Sequence, residues 1–168
     1  IEAGAALHWL RPREKSPIER DWSVKPRATL ELLRSTHIPN ANIGIRLGAP
    51  SETDAGNLHL LDLDIRDESK TDEALAALRS FLPNHDDFPK VISGSGGASR
   101  HFYFITSKAF RAKKLARSPG YKMVWDKKKG REVKKYDWEI ELFGTGKQAV
   151  LPPSIHPDTG KPYRWLKE

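Results

Sequence analysis

Apolar and polar residues alternate in three separate stretches of this chain. Each alternation gathers chemistry-bearing side chains on one side of a strand. In Leu60-Leu61-Asp62-Leu63-Asp64-Ile65, successive side chains point to opposite faces. Leu61, Leu63 and Ile65 therefore face a core, while Asp62 and Asp64 share the other face. Trp138-Glu139-Ile140-Glu141-Leu142 repeats the pattern, with Glu139 and Glu141 on the polar side. In Ser99-Arg100-His101-Phe102-Tyr103-Phe104, Phe102 and Phe104 fall on one face and His101 and Tyr103 on the other.

The same periodicities predict the remaining elements. Strands are expected over 5–10, 42–47, 58–65, 90–93 and 101–106, and a last short one at Tyr163-Arg164-Trp165. Residues 137–143 and 148–151 read as a hairpin around Gly144-Thr145-Gly146-Lys147. Helical spacing covers 27–35, and a second helix, stopped by Pro83, is expected over 71–81. For the second helix Ser69 or Thr71 is the expected cap, and Asp72 and Glu73 suit the first turn. Residues 11–26, rich in Pro and charge, read as a loop, and 49–57 as a turn-rich connector. Many strands with two helices argue for an α+β fold.

Composition narrows the class. A chain of 168 residues, 38% hydrophobic and 30% charged, suits one soluble domain or two small lobes sharing a cleft. No apolar run approaches the roughly 20 residues that span a bilayer, so no membrane partner is expected. The opening Ile1-Glu2-Ala3-Gly4-Ala5-Ala6 lacks a signal-peptide layout. Without cysteine there is no disulfide and no cysteine-based zinc site, which fits a cytoplasmic location. The net charge of +7 is unevenly spread. Residues 108–135 hold 12 Lys or Arg and two acids, a net +10, which leaves −3 for the rest. Such a cluster suits a phosphate backbone, and a solvated mobile loop is the competing reading.

Two neighbouring carboxylates on a sheet repel unless a cation lies between them. An isolated Asp-x-Asp is usually solvent-facing. A second acidic strand in the same sheet would bring three or four carboxylates together, as in a two-metal phosphoryl-transfer site. Ser93-Gly94-Ser95-Gly96-Gly97 lacks the Gly-Lys-Ser/Thr of a P-loop and precedes a strand, which also excludes a dinucleotide fingerprint. It is either a tight turn or a close approach to a triphosphate, with Arg100 and His101 at its exit. His156 sits in an expected loop with structural and functional readings balanced. His8, His37, His59 and His85 have no ligand-like spacing.

The order of these motifs resembles the catalytic domain of the bifunctional DNA primase–polymerases, within the archaeo-eukaryotic primase superfamily. The resemblance runs through most of the chain. It rests on Asp-x-Asp in the strand 58–65, on Ser99 and His101 after the glycine turn, and on Glu141 followed by Pro152-Pro153-Ser154, His156-Pro157 and Tyr163-Arg164-Trp165. Asn42-Ile43-Gly44-Ile45-Arg46-Leu47-Gly48 is also similar. The third acid is often Asp in the family. Glu stands here, and Glu141 is preferred over Glu139 because its spacing to Pro152-Pro153 matches.

The resemblance implies an α/β lobe beside an RRM-like lobe, with mixed β-sheet and the site in the cleft. It implies template-directed nucleotide addition, with Asp62, Asp64 and Glu141 holding Mg²⁺ or Mn²⁺ and His101 contacting a nucleoside triphosphate. Ser99, Arg100, Arg46 and Lys147 are weaker phosphate candidates. The implied partners are a DNA template and primer, and a fused or associated helicase in a plasmid, phage or mobile-element setting. The chain would then be the catalytic domain of a longer replication protein. Two rivals remain open. A metal-dependent nuclease would also use clustered acids, although Phe143 occupies the lysine place of the common Asp…Glu-x-Lys pattern. A non-catalytic RNA-binding module could stack bases on Phe102, Tyr103 and Phe104.

Overall fold

The computed structural model describes residues 4–127 and 129–167. Residues 1–3, read above as part of the opening segment, and Lys128 of the basic segment lie outside the described residues. The chain folds as α+β with antiparallel sheets and few helices. The first sheet joins β1 (Ala6–Leu10), β2 (Asn42–Arg46) and a late strand, β11 (Gln148–Leu151), with β2 in the middle. The second has seven strands. Its core is β4 (Gly56–Ile65), flanked by β6 (Arg100–Thr106) and β10 (Trp138–Phe143). Beyond β6 lie β5 (Lys90–Ile92) and β12 (Arg164–Lys167); beyond β10 lies β7 (Lys113–Arg117); and β3 (Gly48–Thr53) pairs with β4. The third is a two-stranded hairpin, β8 (Tyr121–Asp126) with β9 (Arg131–Tyr136).

The alternation in β4 decides how the layers stack. Leu61, Leu63 and Ile65 are buried with Phe102, Trp138 and Ile140, under helix α2 (Thr71–Phe81), which contributes Ala74 and Leu78. Trp138 also donates its indole N–H to Glu73 on α2 at 3.1 Å, which fixes the helix across the sheet. On the opposite face Leu60, Val91, Tyr103 and Tyr163 meet Leu10, Ile45, Leu47 and Val150 of the three-stranded side. Asp62 and Asp64 continue that second face beyond Leu60 and are half-buried. Burying these two leucine-rich faces removes apolar surface from water at about 25 cal/mol per Å², so the strands are held by packing on both sides.

Several expectations are corrected. The sheet expected to be mixed has only antiparallel pairings among its named strands; the parallel contact is an isolated bridge between Arg111 and Thr145. Residues 49–57 are not merely a connector. β3 forms an edge strand, where Pro50 is tolerated because no ladder N–H is needed there. β10 and β11 do not form a hairpin. Gly144-Thr145-Gly146-Lys147 instead carries the chain from the seven-stranded to the three-stranded sheet, and the Lys147 carbonyl accepts from the Leu47 N–H at 3.1 Å. Neither Ser69 nor Thr71 caps α2. A 3₁₀ turn, Glu68–Lys70, precedes the helix, and Asp67 caps that turn by accepting from the Ser69 N–H at 3.0 Å. The first helix, α1 (Leu30–Ser35), starts later than expected because Thr29 is its cap, accepting from the Leu32 N–H. The basic segment is ordered into β7, β8 and β9 rather than a loop.

Candidate active site

Antiparallel register brings the distant motifs into one row. On β4, Asp62 lies directly opposite Glu141 of β10 on one side and His101 of β6 on the other. Asp64 lies opposite Glu139. On the outer side of β10, Lys114 pairs with Glu141 and Arg117 with Glu139. Directly opposed residues have Cβ atoms about 4.5–5.5 Å apart. The row across the sheet therefore reads His101, Asp62, Glu141, Lys114. The strands meet in this order because β4, β6 and β10 bury alternate apolar residues under α2, which leaves the four acids and His101 on the other face.

Four carboxylates so close are not tolerated bare. Arg66 continues the β4 alternation beyond Asp64, and its guanidinium pairs with Asp64 and with Glu139, the latter at 2.9 Å. Lys114 reaches the other Glu139 oxygen at 2.7 Å, and Lys147 reaches Glu141 at 2.9 Å. Among the described residues Asp62 has no such cation; its charged-type partner is His101, Nε2 to Oδ1 at 3.5 Å. Burial, reinforced by the Asp64 charge, pushes the Asp62 carboxyl up to about 7, with Glu141 adding and Lys15 and Lys147 opposing. Burial likewise holds the His101 imidazole down at about 4, with Lys15 contributing, so it is neutral at pH 7. Glu139 is held below the usual carboxylate range. Burial works against this, but the hydrogen bonds from Lys114 and Arg66 outweigh it.

The acids and their cations enclose a small cavity of about 50 Å³, lined by Asp62, Asp64, Arg66, Lys114, Glu139 and Glu141. As the side chains stand, no three His, Asp or Glu among the described residues close around a common ion position. Arg66, Lys114 and Lys147 supply the positive charge instead. The donor set nonetheless suits a hard divalent cation: it is all oxygen on the Asp62, Asp64 and Glu141 side, and among the described residues Asp62 has no lysine or arginine in direct contact, so a cation there would favour its ionised form.

Over residues 1–168 the sequence matches the Prim-Pol family, described as bifunctional DNA primase/polymerase, N-terminal. The chain belongs to that family. No curated protein and no solved structure matches it. Prim-Pol membership makes this a domain of the DNA primase/polymerase class, with DNA as the substrate the family implies. The resemblance read from motif order is thereby borne out. No helix among the described residues is long and apolar enough to cross a membrane.

Not every expected residue joins the Prim-Pol row. His101 and Lys147 do. Arg100 falls on the opposite face of β6, opposite Leu63, and turns back to donate to the carbonyls of Gly97 and Ser99 at 2.7 and 2.8 Å. Ser99 is buried and exchanges hydrogen bonds with the Ile65 backbone, so its hydroxyl staples the glycine turn to the end of β4. Arg46 is also buried and donates to the Lys25 and Ser23 carbonyls, bracing the 11–26 loop. In this arrangement all three are held by backbone partners.

Sequence reasoning missed Arg66, Lys114 and Lys15. Arg66 was legible, because Asp62, Asp64 and Arg66 share one alternation. Lys114 was not, because only the pairing of β7 with β10 brings it near. Lys15 sits on an exposed loop yet acts electrostatically on Asp62, His101 and His156. The loop is pinned there by the Gln148 amide donating to the Lys15 carbonyl at 2.8 Å. His156 is buried and packs on Tyr163, which packs in turn on His101, with ring centroids 5.9 and 6.2 Å apart. His59 is a satisfied core residue, accepting from the Phe110 N–H at 3.0 Å through Nε2.

Proposed function

We propose that this chain performs template-directed nucleotide addition, in which a primer 3′-hydroxyl attacks the α-phosphate of a nucleoside triphosphate and pyrophosphate leaves. The observation that carries the reading is the register that sets Asp62 directly between Glu141 and His101, with Asp64 one step along the same face. Asp62, Asp64 and Glu141 would hold Mg²⁺ or Mn²⁺, which supplies Lewis-acid stabilisation of the charge on the transferring phosphate. Opening of the Lys147–Glu141 pair frees that ammonium for a phosphate oxygen and the carboxylate for the cation. Lys15, over the Asp62 and His101 end of the row, attracts the triphosphate, and neutral His101 contacts it without adding charge. These residues align the reactants, so most of the barrier reduction comes from positioning and fixed charge.

In this reading the α2-backed sheet and the three-stranded sheet are the two lobes, and the acidic row faces the cleft between them. The domain works within a longer cytoplasmic replication protein, with a helicase module as partner. The stacking rival loses support, since Phe102 and Tyr103 are buried in opposite cores and present no face to a base. The test is incorporation on a primed DNA template, run with ribo- and deoxynucleotides and with and without primer. Extension by the parent chain and none by Asp62→Ala/Asp64→Ala supports the proposal. Equal extension by both would overturn it, and template cleavage without extension would favour the nuclease.

A further inference from the structure

The β8–β9 hairpin has two chemically different faces and no core of its own. Register pairs Tyr121 with Tyr136, Met123 with Lys134 and Trp125 with Glu132 on one face. The other face carries Lys122 with Lys135, Val124 with Val133 and Asp126 with Arg131. Tyr121, Met123, Val124 and Trp125 are all exposed, Trp125 to 60%. Two-stranded hairpins without cover are marginal in water. Here the base is stiffened by the Tyr121–Tyr136 ring contact, centroids 5.8 Å apart, and by Lys134 over Tyr121 and Arg117 over Tyr136 at 4.1 and 4.4 Å. Residues 121–136 carry seven Lys or Arg against two acids.

The hairpin is also tied to the acidic row. β9 runs into β10 through Asp137, whose carbonyl accepts from the Arg66 and Asp67 N–H groups at 2.8 and 3.1 Å. Arg66 donates to the Tyr136 carbonyl at 2.9 Å with the same guanidinium that holds Asp64 and Glu139. The arm therefore leaves the sheet at the Asp64–Glu139 end of the row. A six-residue strand at about 3.3 Å per residue carries it about 20 Å outward.

We propose that this hairpin is an arm for single-stranded DNA that enters or leaves the acidic row. The Met123–Trp125 face stacks on unpaired bases, and Lys122, Lys135 and Arg131 hold phosphates from the other face. This deepens the nucleotide-addition reading and rests on it for the identity of the strand. The occupant follows from the surface. A strongly positive ribbon seeks phosphate, and exposed flat rings beside it gain from bases whose faces are free, which duplex DNA does not offer.

The two faces give separable signatures in anisotropy titrations of labelled oligothymidylate across a salt series. Trp125→Ala removes one stacking platform and should weaken binding about tenfold with an unchanged salt slope. Lys122→Ala/Lys135→Ala removes two phosphate contacts and should flatten the log–log slope by about 1.4. Trp125→Phe should restore most of the affinity, which a general loss of folding would not allow. Parent-like affinity in Trp125→Ala, or tighter binding to duplex than to single strand, would overturn the proposal. The nucleotide-addition reading fails separately: a parent chain that extends no primer but shows these binding signatures would keep the arm and remove the polymerase.

Discussion

The acidic row and the basic arm are both built from paired antiparallel strands, yet they are held by different forces. β4 and β10 bury apolar residues under α2 at Leu63 and Ile140, and charge is confined to the face left over. β8 and β9 bury almost nothing, and rings and cations cover one another on an open ribbon. The comparison teaches where precision is needed. Placing four carboxylates within one small cavity requires strands that cannot shift register, because a one-residue slip would send Asp62 into the core. Holding a flexible polymer requires reach and charge, and an uncovered ribbon provides both.

The largest expected effect lies in the row. Glu141→Gln should lower nucleotide incorporation about 10²–10³-fold, the scale of losing one transition-state charge partner, whereas Glu139→Gln, already bound by Lys114 and Arg66, should cost far less. Equal losses in steady-state extension would show that the row does not separate the two glutamates. Next comes stability. Leu63→Ala, a fully buried site under α2, should cost about 2–5 kcal/mol in urea unfolding. Val124→Ala on the arm should stay within about 0.5 kcal/mol, and a large loss there would mean that the ribbon is part of the core.

Smaller still is the expected effect of Lys127→Ala/Lys128→Ala/Lys129→Ala. It should weaken binding to single-stranded template and flatten the salt dependence by about 2, at about 0.7 per lost phosphate contact. An unchanged slope would move the strand to another face. The smallest effect belongs to neither region. His8 is buried on the three-stranded sheet, and burial, helped by Arg46, holds its imidazole down at about 4 from 6.5. Its folded form disfavours the proton. The His8 contribution is therefore full above pH 6.5 and is lost as pH falls toward 4. His8→Gln should flatten that part of the stability profile in urea titrations at stepped pH, and an identical profile would mean that His8 is not the group responsible.

Much of this was legible from period alone. Asp62 and Asp64, Glu139 and Glu141, and His101 were placed on their faces by alternation, and α2 falls on the expected residues 71–81. What stayed hidden depends on pairing between distant segments. Nothing local says that β11 leaves β10 to join β2, or that Lys114 arrives beside Glu141. Arg46, Arg100 and Ser99 read as phosphate contacts because they are polar and flank motifs. Their backbone partners, which the sequence does not display, hold all three in this structure. The basic run read equally as loop or ligand surface, since β8 and β9 rest on cross-strand rings rather than on a buried face.

The claim that the two regions differ in kind is tested most directly by Mn²⁺ titration followed by electron paramagnetic resonance. The parent chain and the Lys127, Lys128 and Lys129 triple variant should bind the ion alike, and Asp62→Ala/Asp64→Ala should lose that binding while keeping its affinity for oligothymidylate. Unchanged Mn²⁺ binding in the aspartate double variant, or its loss in the lysine variant, would contradict the account.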